Sequence, residues 1–347
     1  MEPVANKNRL IVPTIRASIL RPILSFFHDD HSKKRSLLKT YGLSQQQVDD
    51  PYVKIPLLIY LNLFETAAQN DPLLGMKLGF TIRPGDAGPI GLLMAQAGTI
   101  AKGLQVFTKF CSAFQTSTTV ILEEAHQDFI LSYRIEAFPD VSKRQDSEFT
   151  MACVCGLIRS LFDPKWKPTE VHFEHSSNGH MPLLKKAFGT EVKFNQAINR
   201  LIFDKDLAMV AYRREDSDLV NMIEHHLNDL MTQDRGHLSI SEHIKLLIRI
   251  NLGINPVNLE NIASSLQILP RTLQRQLVLE GTSFRSLLLQ ERMKIATAML
   301  REGNTRTEMI ASSLGYADAT VFWRAYKEYN GISPTEERSA RLKNKKD

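Results

Sequence analysis

A five-residue word occurs twice in this chain. IASSL stands at 262–266 and again at 310–314, 48 positions later. The residues behind each copy also match: Leu273, Arg275 and Leu277 correspond to Phe322, Arg324 and Tyr326 once one extra residue is allowed in the second turn. A repeated apolar-x-Arg-x-apolar frame behind a repeated word means two copies of one supersecondary unit. Each copy reads as a short helix, a tight turn and a second helix. That is helix-turn-helix geometry, in which the second helix can lie in a DNA major groove.

The first unit starts at Asn258, an N-cap type, with Glu260 in the first turn where a carboxylate suits the helix dipole. Its first helix spans 259–266 and its turn 267–269. Pro270 then stands at the first position of the next helix, where proline is best tolerated. That helix, 270–280, should bury Leu273 and Leu277, stop at Gly281 and expose Arg271, Thr272, Gln274, Arg275 and Gln276. Arg can read guanine edges and Gln adenine edges.

The second unit opens at 305–308 with Thr305 and Glu308 in capping-box spacing. Its turn, 315–318, begins with Gly315, free to take the positive φ that a helix end often needs. The following helix, 318–329, should bury Phe322 and Tyr326 and offer Ala319, Thr320, Trp323, Arg324 and Lys327. Gly331 ends it, and Ser333-Pro334 restarts a short final helix. Arg275 and Arg324 suit phosphate or structural duty, since about half or more of protein–DNA hydrogen bonds go to the backbone. Thr272, Gln274, Gln276, Ala319, Thr320 and Trp323 are the candidates for specificity. Between the units, 283–302 places Leu288, Leu289, Ile295, Ala296, Met299 and Leu300 on one apolar stripe. Arg292 falls on that stripe and should be paired, with Glu308 or Asp318 as the expected carboxylates.

Residues 240–340 resemble the DNA-binding domain of AraC/XylS-type bacterial transcription regulators. The resemblance is carried by LENIASSLQILPRTLQRQLVLEGTSF, RMKIATAML, IASSLGYADATVFWRAYKEYNGISP and the closing Arg338. Two departures stand out. The small Gly-x-Ser turn common in the family is Gln267-Ile268-Leu269 here, and Glu337 replaces the aromatic residue usual before Arg338. The amino-terminal part resembles the arabinose-binding-like domain of the ornithine-utilisation branch of that family, through GPIGLLMAQAGTIAKGLQVFTKF and EVHFEHSSNGHMPLLKKAFGTEVKFNQAINRLIF. The resemblance implies an effector-binding or dimerisation domain at 1–235, a linker at 236–239, a DNA-binding domain at 240–340 with helix-turn-helix units at 259–280 and 306–329, and a basic tail at 341–347. The implied partners are double-stranded DNA, a small-molecule effector, RNA polymerase and a second copy of the chain. No cofactor is implied.

Charge agrees with this division. Residues 237–347 carry 16 Lys and Arg against 11 Asp and Glu, the whole of the chain's net charge of +5. An excess confined to one region is the footprint of a polyanion partner, although the tail 343–346 supplies three of those charges. Cys111, Cys153 and Cys155 are too few and too oddly spaced for a disulfide framework or a zinc site. No run of ~18 apolar residues suggests a membrane span, so a cytoplasmic location is expected.

Ahead of the repeat the reading is α+β. Helices are expected at 15–27, 44–49, 55–70, from Asp71-Pro72 to Gly79, and at 102–116, 146–162, 181–188 and 216–233. Strands are expected at 118–124 and 129–136 as a hairpin, then at 170–175, 192–195 and 200–203. The glycine-rich 85–91 lacks a Walker lysine and reads as a turn. His172 and His175 alternate along a strand and His225-His226 sit on a helix surface, so neither pair has the frame of a metalloenzyme, and no nucleophile motif is present. The expected architecture is an α+β sensor followed by an all-α domain of two helix-turn-helix units on a joining helix. The function it points to is sequence-specific regulation of transcription under small-molecule control. The alternative is a ligand-independent DNA-binding protein whose amino-terminal domain serves only dimerisation or partner interaction.

Overall fold

The computed structural model describes residues 12–27, 30–177, 179–233, 239–252, 256–266, 268–302 and 305–344. The chain divides into two compact units, one comprising Pro13–Lys39 and Leu43–His237, the other built on Leu238–Asp347. Residues 236–238 of the expected linker, Gln267 of the first turn and 345–347 of the basic tail lie outside the described residues.

In the amino-terminal unit, a two-stranded ribbon pairs Thr14–Arg16 with Lys54–Pro56. It leads into helices α1 (Leu57–Ala67), α2 (Leu74–Thr81), α3 (Gly88–Gln96) and α4 (Ile100–Phe114). The hairpin β1 (Thr118–Ala125) and β2 (Asp128–Ile135) follows, then the long helix α5 (Arg144–Leu161). β3 (Glu170–His172), α6 (Met181–Phe188), β4 (Glu191–Lys193), β5 (Asn199–Asp204) and α7 (Ser217–Gln233) complete the unit. The five strands form one sheet in the order β1-β2-β5-β3-β4, antiparallel except for β3 with β4. Its core is aromatic: Tyr60, Phe64, Phe110, Phe173, Phe188 and Phe203 are all fully buried.

Helices α2 and α5 meet through their main chains. A methyl group on Gly75 would stand 2.2 Å from the Gln145 carbonyl oxygen, and one on Gly79 would stand 2.4 Å from that of Phe149. Only glycine permits this approach.

Several boundaries depart from the sequence reading. The segment 15–27 begins as a strand because it pairs with Lys54–Pro56, and only Leu20–Ser25 is α-helical. A helix not expected from the sequence, His31–Thr40, lies between the segments read as helices at 15–27 and 44–49. The glycine-rich 85–91 is a turn only in its first half; Gly88 has φ +63° and Pro89 fills the first turn of α3. The strand expected at 170–175 stops at His172, and the His175 ring stacks on Phe173 at 4.9 Å. Among the described residues no group of three or more His, Cys, Asp or Glu is placed to hold a metal, and no helix is long and apolar enough to cross a membrane.

Among its described residues the carboxy-terminal unit holds helices and their connections: α8 (Ile240–Asn251), α9 (Leu259–Ser265), α10 (Pro270–Leu279), α11 (Phe284–Glu302), α12 (Thr307–Ser313), α13 (Ala319–Asn330) and α14 (Pro334–Asn344). Helix α8 precedes the repeat and starts with a capping box between Ser239 and Glu242. Two cores result. One gathers Ile240, Ile244, Leu247 and Ile248 of α8 with Ile262, Leu273, Leu277 and Leu287. The other gathers Met293, Ala296 and Leu300 with Ile310, Leu314, Phe322 and Tyr326. Helix α11 therefore contributes to both.

Candidate nucleic-acid interface

Each half positions its second helix from within. In the first, the Asn258 side chain accepts from the Asn261 N–H and caps α9. Leu269, in extended conformation, offers no side-chain cap to α10, and Pro270 opens it. In the second, Gly315 takes φ +72° at the end of α12. Asp318 caps α13 by accepting from the Thr320 and Val321 N–H groups at 2.7 and 2.8 Å. The Val321 and then the Thr320 N–H hold its carboxyl below the usual range. The capping box expected at 305–308 does not form. Arg306 is the N-cap residue and makes no side-chain cap, while the Thr305 carbonyl accepts from Arg338 at 2.6 Å.

The joining helix is fastened by charges that the apolar stripe did not foretell. Its inner face carries Leu287, Glu291, Met293, Ala296 and Leu300, all buried, whereas Leu288, Leu289, Ile295 and Met299 lie half-buried at the margins. Glu291, 2% exposed, accepts from Arg249 of α8 through both its oxygens. Arg292 does not pair with Glu308 or Asp318. It donates to the Gly315 carbonyl at 3.2 Å and lies over the Tyr316 ring at 4.8 Å, so it grips the second turn. Glu337 receives Arg301 Nε at 2.8 Å. An ion pair thus secures α14 to α11 where the family's usual aromatic residue is absent.

The outer faces of α10 and α13 are the candidate DNA-reading surfaces. On α10, Arg271, Gln274, Arg275 and Val278 are exposed, at helical spacings of three and four. On α13 the equivalent positions, 49 later, are Thr320, Trp323, Arg324 and Lys327, and these too are exposed. Trp323 and Lys327 touch, with the ammonium 5.2 Å from the ring centroid. Three expected site residues lie elsewhere. Gln276 is 3% exposed, because a position three after Leu273 and one before Leu277 belongs to the inner face. Ala319 is half-buried against the second core, and Thr272 is half-buried. Two exposed side chains that donor counting passed over, Leu269 at 72% and Val278 at 71%, flank the first reading face. Apolar groups of this kind can meet a thymine methyl.

Residues 33–210 match the family described as the arabinose-binding domain of AraC transcription regulator, and 262–340 match a helix-turn-helix domain. The chain is similar to the HTH-type transcriptional regulator VirS of Mycobacterium tuberculosis, with 24% identity over 300 residues, covering 86% of this chain and 87% of that one. Similarity to the ornithine utilization regulator of Pseudomonas aeruginosa extends over 320 residues at 21% identity, covering 88% of this chain and 93% of the other. Among solved structures, the transcriptional regulator CdpR of Pseudomonas aeruginosa matches with a TM-score of 0.45 and 20% identity, covering 93% of this chain and 98% of that one.

Proposed function

The chain belongs to the AraC family of transcription regulators, a family of DNA-binding proteins and not of enzymes, and on that premise we propose that it binds a specific operator through both recognition helices under the control of a small molecule held by its amino-terminal unit. One observation carries the DNA half of this reading. Two helices expose the same four positions, and a single helix, α11, supplies side chains to the cores beneath both. That helix has 19 residues, hence a length of ~28 Å at 1.5 Å per residue. Successive major grooves on one DNA face repeat every ~34 Å, so the operator should hold two short elements about 10 base pairs apart.

Within the reading faces, Gln274 and Thr320 select bases, while Arg271, Arg275, Arg324 and Lys327 hold phosphates. Operator affinity of the full chain, measured against salt, should give a clearly negative slope of log K on log salt, because these cations displace condensed counterions. Selection on randomised half-sites should return altered preferences for Gln274→Ala and Thr320→Ala, and unchanged preferences with uniform weakening for Lys327→Ala. A flat salt slope would overturn DNA as the partner.

A second role of the amino-terminal unit is favoured by its surface. Leu207, Met209, Val210 and Met222 are 54%, 55%, 44% and 70% exposed, which suits contact with a second copy of the chain. RNA polymerase is the further partner through which a bound regulator would act. Sedimentation of the full chain and transcription in vitro from the mapped operator test these two steps.

A further inference from the structure

The amino-terminal unit encloses a cavity of about 100 Å³ between the ribbon, α3, α4, the sheet and α5. Its lining is mainly apolar, with Ile15, Ile90, Met94, Phe107, Phe149 and Leu157 among the contributors. One corner is polar. Asp146, 2% exposed, accepts from the Tyr60 hydroxyl at 2.9 Å and from the Tyr133 hydroxyl at 2.7 Å. Each tyrosine has spent its single proton on that carboxylate, so its oxygen can only accept, and that of Tyr133 is also hydrogen-bonded to Thr150. The Gln115 amide nitrogen is committed as well, donating to Tyr133 Oη at 3.2 Å and to Thr118 Oγ1 at 2.6 Å. The acceptors left for a guest are the remaining lone pairs of Asp146 and the Tyr60 oxygen, and both call for donors.

Charge points the same way. The acidic lining residues are Asp146 and, towards the surface, Asp86; no Lys, Arg or His lines the cavity among the described residues. Arg16 and Arg21 line an adjoining depression, where they donate to the main-chain carbonyls of Ala113 and Val48 at 2.9 and 3.1 Å. A carboxylate ligand would add a second anion beside Asp146 in a low-dielectric site. An ammonium would supply a countercharge within the cavity, whose own lining carries none, and up to three donors.

We propose that this cavity is the effector site and that its ligand is a small amine with an apolar body, the ammonium against Asp146 and the hydrocarbon against Ile90, Met94 and Phe149. This rests on the reading that a small molecule controls the protein, and adds the site and the chemical class. A cavity of this size holds roughly four non-hydrogen atoms, by comparison with the ~150 Å³ cavity that takes the six of benzene.

Burial pushes the Asp146 carboxyl up to about 6, against the two tyrosine hydroxyls, which hold it down. The groups facing it are Tyr60 and Glu65 from α1, Tyr133 from β2, Cys111 from α4, and Lys143 just before α5. The tyrosines and Cys111 are raised away from neutrality, Cys111 to about 12. Protonation of Asp146 removes the countercharge, so amine affinity should fall about tenfold per pH unit below about pH 6.

The test uses calorimetry and thermal shift on the full chain with three probes built on the same three carbons: n-propylamine, 1-propanol and propanoate. The amine should bind at least about tenfold more tightly than the alcohol at neutral pH, as a charge-assisted hydrogen bond implies, and propanoate more weakly than either. Asp146→Asn keeps the shape and should erase the preference for the amine. Ala87→Leu, at the rim, should weaken amine and alcohol together. An amine no tighter than the alcohol, a preference that survives Asp146→Asn, or silence of all three probes overturns the proposal. Operator affinity measured beside each titration separates the two readings. Amine binding through Asp146 that leaves operator affinity unchanged upholds the site chemistry and removes ligand control. An alcohol or carboxylate that binds more tightly and shifts operator affinity upholds ligand control and overturns the amine.

Discussion

In the first helix-turn-helix unit the recognition helix starts behind Leu269, which gives it no cap; in the second it starts behind Asp318, whose carboxylate takes two N–H groups. The first core is aliphatic and is completed by α8, a helix outside the repeat. The second is completed by aromatic rings, with Phe322 5.5 Å from Tyr316 and 5.7 Å from Tyr326. The outer faces differ as well: Arg271, Gln274, Arg275 and Val278 against Thr320, Trp323, Arg324 and Lys327. One word repeated in a sequence thus specifies a path for the chain and leaves open how that path is stabilised. The first unit draws its order from a neighbour, the second from its own turn, cap and rings.

Removing an aromatic ring should separate the two most. Phe322→Ala deletes a fully buried side chain and should cost about 3–5 kcal/mol. Hydrogen exchange on the full chain should show this loss in α12 and α13 while α9 and α10 keep their protection. Equal loss in both units would mean that they unfold as one. Proline at Ala296 comes next, at about 3 kcal/mol or more, since it removes a backbone donor and clashes with the preceding turn. Ala296 is fully buried in the second core, so a footprint of the variant should contract to the operator element read by α10.

Acid should weaken the other unit. His243 of α8 is 1% exposed, and burial lowers its pKa from 6.5 to about 4. The unfolded chain then binds the extra proton between those values, so the first unit is at full stability above pH 6.5 and loses it as pH falls towards 4. The loss should be about 2 kcal/mol by pH 5. Exchange protection in α8–α10 should fall with acid in the parent and not in His243→Leu. The smallest effect is a cap exchanged between units. Leu269→Ser places a capping hydroxyl on extended backbone and should stabilise the first unit by about 1 kcal/mol. Asp318→Ala should move the second unit in the opposite sense, and urea unfolding followed by exchange in α10 and α13 reads both.

The repeat made the helix-turn-helix pair legible because each copy carries its own punctuation: Asn258, Pro270, Gly281, Gly315 and Gly331 all act where expected, whereas Asp318, expected as a partner of Arg292, caps α13 instead. The hairpin β1–β2 was legible through its β-branched runs joined by a polar turn, and the end of helix α6 through Gly189, whose φ is +76°. Less could be seen where a residue's role depends on a distant partner. Glu291 sits four after Leu287 on the inner stripe of α11, and nothing local announces Arg249 as its mate. Gln276 looked like a reader because its side chain is polar; its phase, between Leu273 and Leu277, was the better guide. The ribbon strand at Thr14–Arg16 exists through pairing with residues about 40 and 100 positions away. Asp146 was visible only as the acid near the start of a helix, since the two tyrosines that hold it come from α1 and β2.

The glycine contacts between α2 and α5 bear on that last helix. Main chain against main chain leaves no side-chain layer to yield, so α2 and α5 move as one plate, and α5 carries Asp146, Phe149, Cys153 and Leu157 of the cavity wall. Substituting the lining would recarve the space in front of that wall and leave the wall in place. A single methyl at Gly75 or Gly79, residues outside the lining, would instead shift all four side chains together. Inheritance could thus retune what this cavity accepts without altering a single atom that touches the guest.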